Sequence, residues 1–129
     1  MGFFLHTGAT QVAISTQSAK AKGRKLQQLV RDKILSLFPQ LTLDDVRSTS
    51  SGASGEDVLL SPSARLLFPY SVECKAHKSF AIYKVMEQAA SNCPDDATPL
   101  AVIKGDRQKP LVVLDADAFF DLLKGRHNE

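Results

Sequence analysis

From Ala21 to Gln40 apolar residues return every three or four positions, at Leu26, Leu29, Val30, Ile34, Leu37 and Phe38. That period predicts a helix with one buried face. Arg24, Lys25, Gln28 and Arg31 fall opposite, and Pro39 predicts the stop. The residues before it, "TGATQVAISTQS", are small and polar and read as a mobile arm up to about Ser18. After the helix, "RSTSSGASGED" is rich in Ser and Gly and predicts a loop. "DVLLS" then reads as a strand, "PSA" as a turn and "YSVECK" as a second strand. Phe68-Pro69 places a bulge or an edge just before that second strand. Strands this close in sequence predict an antiparallel hairpin.

A second helical pattern follows in "SFAIYKVMEQAASN", with Ser79 as the expected cap and Ala81, Ile82, Val85, Met86, Ala89 and Ala90 on the apolar face. "PLAVIK" and "PLVVLDA" predict two strands around "GDRQK". "DADAFFDLLKG" predicts a last helix, capped by Asp115 or Asp117 and stopped by Gly125. The expected order is α-β-β-α-β-β-α, an α/β chain of mixed α+β character. One domain is expected over residues 19–125, between an arm at 1–18 and a tail at 126–129.

Composition narrows this little. The chain has 129 residues, 43% hydrophobic and 23% charged, enough for one real core. No apolar run is long enough to cross a bilayer, so no membrane partner is expected. "MGFFLHTG" has no basic residue ahead of its apolar patch and no clear cleavage site, and is not read as a signal peptide. Two cysteines, Cys74 and Cys93, make no disulfide framework, which favours a reduced, cytoplasmic setting. The net charge is +2, but its distribution is uneven. Between Lys20 and Lys33 six basic residues face the single acid Asp32. Such a face suits a polyanion, or is simply a solvated helix surface.

The sharpest chemical signal is Glu73-Cys74-Lys75. Side chains alternate along a strand, so if Val72 and Cys74 enter the core, Glu73 and Lys75 share the other face. A Glu-x-Lys triplet arises by chance about once in every two chains of this size, so its neighbourhood matters. Asp57 opens the preceding strand, and the expected hairpin would bring it to the Glu73 rim. Two carboxylates and a lysine would then converge. Such a cluster suits a hard divalent cation, water activation and a phosphate.

Asp57 followed by Glu73-Cys74-Lys75, between a first and a second helix, resembles the PD-(D/E)XK nuclease superfamily, with the small Holliday-junction-resolvase-like and phage nucleases as the nearest branches. "KGRKLQQLVRDKI" is similar to the family's basic opening helix, "SGASGED" to its Ser/Gly loop, and Gln88 in "YKVMEQA" to its helix glutamine. "PLAVIKGDRQKPLVVLDADAFFDLL" is similar to the closing strand–strand–helix segment, so the resemblance covers roughly Lys22 to Leu123. It implies a restriction-endonuclease-like core, a central mixed sheet flanked by helices. Glu56 stands where the family carries proline, and Gln27 or Gln28 where its opening helix often carries a glutamate. One acid fewer puts two-metal catalysis in doubt.

The resemblance implies roles as well. Asp57, Glu73 and the Cys74 backbone carbonyl would hold Mg²⁺, with Mn²⁺ as a substitute. Lys75 would position or activate water, and Gln88 would orient water, the lysine or the DNA backbone. Lys104 and Arg107 would grip phosphate beside Lys22, Arg24, Lys25 and Arg31. Ser50, Ser51 and Ser54 would donate to phosphate oxygens, and His77 would touch DNA. The expected activity is metal-dependent DNA endonuclease cleavage, structure-selective for branched or junction DNA. A homodimer would place paired cuts, in the cytoplasm of a microbe or a virus-infected host cell. The alternatives are a non-catalytic DNA-binding module on the same fold, a less specific nicking or double-strand endonuclease, and an interaction protein with an incidental Glu-x-Lys.

Overall fold

The computed structural model describes residues 2–49 and 55–127. The chain is a mixed α+β protein of four helices and two small sheets. In order they are α1 (Gly2–Leu37), β1 (Val46–Ser48), β2 (Val58–Leu60), α2 (Pro62–Leu67), β3 (Tyr70–Ala76), α3 (Ile82–Ser91), β4 (Thr98–Lys104), β5 (Leu111–Val113) and α4 (Ala116–His127).

Helix α1 includes the segment up to Ser18 that its composition marks as an arm. No proline interrupts it before Pro39, and propagation from an established helix needs one hydrogen bond per added residue. It ends where expected: the Phe38 amide still donates to Ile34 at 3.1 Å, and Pro39 blocks the next turn. Leu26, Val30 and Ile34 are buried along one stripe. Leu29 and Leu37, expected on the same face, stay exposed.

The expected hairpin between "DVLLS" and "YSVECK" does not form. Strand β2 pairs antiparallel with β1, Val46 opposite Leu60 and Ser48 opposite Val58. Strand β1 lies in a stretch whose polar residues hide a three-residue ladder. The "PSA" turn is the start of α2. Ser61 caps it, accepting from the Ala64 amide at 3.2 Å, and Pro62 follows in the first turn. This short helix redirects the chain, so β3 emerges beside β4 instead.

Strand β3 pairs parallel with β4, Val72 opposite Leu100 and Glu73 opposite Ala101, with α3 as the crossover. Strand β5 closes the sheet antiparallel to β4. Helix α1 covers one face, where Val72, Cys74, Leu100 and Val102 join Leu26, Val30 and Ile34. On the other face Val85 of α3 meets Ala101 and Ile103. Strand β3 is therefore buried on both sides.

Two caps differ from expectation. Helix α3 starts at Ile82 behind Ala81, with no side-chain cap, so Ser79 lies outside it. Its Ala81, Ile82 and Ala90 face solvent, and Val85 and Ala89 carry the packing. Asp115 is the cap of α4, accepting from the Ala118 amide at 2.9 Å. Gly125 does not stop α4, which continues to His127, past the expected domain end.

Candidate active site

Asp57 precedes β2 and leans on β3. Its amide donates to the Val72 carbonyl at 3.0 Å, and its Oδ2 accepts the Cys74 amide at 2.7 Å. Its own carbonyl accepts from the Thr49 amide at 3.0 Å and the Thr49 hydroxyl at 3.2 Å. Gly55, at φ 96°, supplies a backbone bend that an L side chain resists. The meeting of Asp57 with the Glu73 strand thus occurs, though by side-chain and single backbone bonds and not through a hairpin.

Glu73 and Lys75 share a face, as alternation requires, but that face is not a surface. It lies under α3, and Glu73 is only 4% exposed. Asn92, at the C-terminal end of α3, donates to Glu73 Oε1 at 3.2 Å. Burial first, then a hydrogen bond with the Asp57 side chain and the Asp57 charge, push the Glu73 carboxyl up to about 7. The Asn92 bond and the Lys75 charge act the other way and do not overcome it. Two carboxylates forced together away from water share a proton or a cation.

The donor set fits a hard ion. In a strand the amide and carbonyl of one residue point to the same edge, so the Cys74 carbonyl faces the edge where Asp57 binds the Cys74 amide. Two carboxylates and one carbonyl are oxygen ligands suited to Mg²⁺, which keeps several waters. The Cys74 thiol is no competitor: burial, then the negative charges of Asp57 and Glu73, push it up, so it stays protonated. Among the described residues no three His, Cys, Asp or Glu side chains form a metal-sized group, so the carbonyl is needed to complete the set. Gln27 Oε1 on α1 is buried and meets no hydrogen-bond partner among the described residues.

Several predicted phosphate contacts converge near the end of β3. Lys22, Lys25, Lys104 and Arg107 line a cleft of about 400 Å³ together with Ala76, the residue after Lys75. Lys22 ion-pairs with Asp106 across it at 2.9 Å. Arg107 sits at φ 61°, a conformation rare outside glycine, in the turn closed by the Gln108 amide on Gly105. His77 lines a smaller adjoining recess with Lys22, Lys78 and Asp106. Arg24 and Arg31 do not line the cleft, and Arg31 pairs with its neighbour Asp32 at 2.9 Å. Ser50, Ser51 and Ser54 lie outside the described residues.

Gln88 is exposed on α3 and makes no side-chain hydrogen bond among the described residues. The side chain that reaches Glu73 is that of Asn92, which caps the C-terminal end of α3 one turn later. Sequence reasoning missed Asn92, Lys78 and a buried pair beside the site, Glu56 with Arg65 at 2.6 Å. The spacing of four from Gln88 to Asn92 is the one signal that pointed to the first of these. Among the described residues no helix is long and apolar enough to cross a membrane. No family model, no curated protein and no solved structure matches this chain.

Proposed function

We propose that this protein is a divalent-metal-dependent DNA endonuclease of the PD-(D/E)XK kind. The observation that carries this is the meeting of Asp57 and buried Glu73 at β3, with Lys75 two residues further along the strand. Asp57, Glu73 and the Cys74 carbonyl would hold Mg²⁺ or Mn²⁺. Bound there, the ion would supply a water of lowered pKa and neutralise phosphate charge. Lys22, Lys25, Lys104 and Arg107, which line the cleft at Ala76, would hold DNA phosphates flanking the site. Lys75, half-buried on the Glu73 face, orients the attacking water and offsets charge as the phosphorus gains its fifth oxygen. Asn92 fixes the Glu73 carboxylate through one oxygen and leaves the other for the ion.

So small a domain has little surface for reading sequence, which favours a branched junction over a fixed site. Two such sites on a C2 dimer would cut a nearly two-fold junction in pairs. The test is cleavage of a labelled four-way junction beside linear duplex and single strand, in Mg²⁺, in EDTA and with Lys75→Ala. Paired symmetric cuts, lost in EDTA and in the variant, are expected. Equal cutting of every substrate removes the junction preference.

A second reading is favoured by Gln27, an uncharged amide on α1 where the resemblance implies an acid. On it the chain binds DNA without cutting. Binding that persists in EDTA, with no cleavage in Mg²⁺ or Mn²⁺, would establish it.

A further inference from the structure

We infer that Arg65 is a positioning residue for Asp57, acting through Glu56 and the Tyr70 carbonyl. Arg65 stands on α2 and is buried. Its Nη2 lies 2.6 Å from both Glu56 carboxylate oxygens, and its Nη1 donates to the Tyr70 carbonyl at 2.7 Å. Asp96 stands 3.9 Å from its Nε. One planar guanidinium therefore ties the residue before Asp57 to the first residue of β3.

The location gives this contact its consequence. Glu56 and Asp57 precede the β1–β2 ladder, whose last pair is Ser48 with Val58. Asp57 meets β3 at Val72 and Cys74, two and four residues beyond the Arg65 contact at Tyr70. The Arg65 fork and the two Asp57 bonds are successive fastenings of one segment along one strand edge. Without the fork, the bend at Gly55 leaves Glu56 free to leave, and the Asp57 carboxylate loses its fixed approach to Glu73. A lysine keeps the charge but lacks the planar fork that spans both partners.

The consequence for catalysis rests on the metal-site proposal; the consequence for Asp57 does not. The experiment uses the ¹⁵N-labelled full chain and follows the Cys74 amide, whose bond to the Asp57 carboxylate makes it a local probe. Asp57→Asn sets the signature of a lost charge-assisted bond. Arg65→Lys and Glu56→Gln are compared with it, since both preserve volume where Arg65→Met can unfold the chain. The expected result is a Cys74 amide that moves toward the Asp57→Asn position and exchanges about tenfold faster, as one lost net hydrogen bond implies. Amides of β4 keep their protection. The Mg²⁺ concentration for half-maximal cleavage rises while the rate at saturating Mg²⁺ is held. A Cys74 amide unchanged in both folded variants overturns the inference. Uniform loss of protection across the sheet also overturns it, since Arg65 is then a clamp on the fold alone. A wild type that never cleaves, with Cys74 still answering to Arg65, leaves the positioning role standing and removes the nuclease.

Discussion

The Asp57 carboxylate accepts the Cys74 main-chain amide at 2.7 Å, between residues 17 apart in the chain. That bond turns a strand edge into a site. It lays Asp57 across β3 at the residue following Glu73, and the two acids then compete for one small volume away from water.

Stability should fall as pH rises through the Glu73 range. Its carboxyl is raised from 4.5 to about 7, so between those values the folded chain binds more protons than the unfolded one. The slope that Glu73 contributes to the unfolding free energy is then negative, and its stabilising contribution is full below about 4.5 and lost by about 7. Asp45 and Asp106 act with the opposite sign at lower pH. Hydrogen bonds from the Thr42 amide and Ser61, and from Lys22, hold their carboxyls down, so their stabilisation is lost in acid. Urea midpoints measured from pH 4 to 8 should decline, and Glu73→Gln should flatten that decline. A midpoint independent of pH in the wild type would count against the buried pair.

Mg²⁺ should raise the melting temperature near neutral pH. A ligand that binds only the folded chain stabilises it by about 2.7 kcal/mol at a hundred times its dissociation constant. Asp57→Asn and Glu73→Gln should each remove the Mg²⁺ shift. Calorimetry with and without Mg²⁺ is the check.

Lys75→Ala should leave folding nearly untouched, because the side chain is only half-buried and holds no ion pair among the described residues. Cleavage should drop about 10²–10⁴-fold, the range for a group that handles a proton or developing charge. Single-turnover rates at saturating Mg²⁺ would reveal an effect confined to binding.

The basic cleft should be read by salt. Alanine at Lys25, Lys104 or Arg107 should weaken binding to any DNA and lower the salt slope by about 0.9 for each lost phosphate contact. Alanine at Arg31, outside the cleft and paired with Asp32, should do neither. Arg107→Gly separates the two roles of that turn. It should relieve about 1 kcal/mol of backbone strain at φ 61° while weakening DNA binding. Fluorescence anisotropy across a salt series, beside urea unfolding, measures both.

Much of the site was legible before the fold. Alternation along "YSVECK" placed Glu73 and Lys75 on one face and Cys74 in the core, and the structure keeps both assignments. The depth of that face was not legible, since burial of Glu73 depends on α3 crossing above it. The grouping of Lys22 and Lys25 with Lys104 and Arg107 was likewise beyond local pattern, because 79 residues separate Lys25 from Lys104.

Local pattern reached what a few neighbouring residues can decide: the α1 stripe of Leu26, Val30 and Ile34, its end at Pro39, the strands holding Glu73 and Val102, and the cap at Asp115. Tertiary structure alone decided which strands pair. Strand β2 took β1 as partner, because the six residues of α2 carry the chain away before β3 can fold back as a hairpin. Strand pairing and ion-pair partners depend on groups remote in the chain, whose approach is set by how helices pack and close the core. Asp57 still reached β3, by one backbone bond and one carboxylate, and no local spacing encodes that contact.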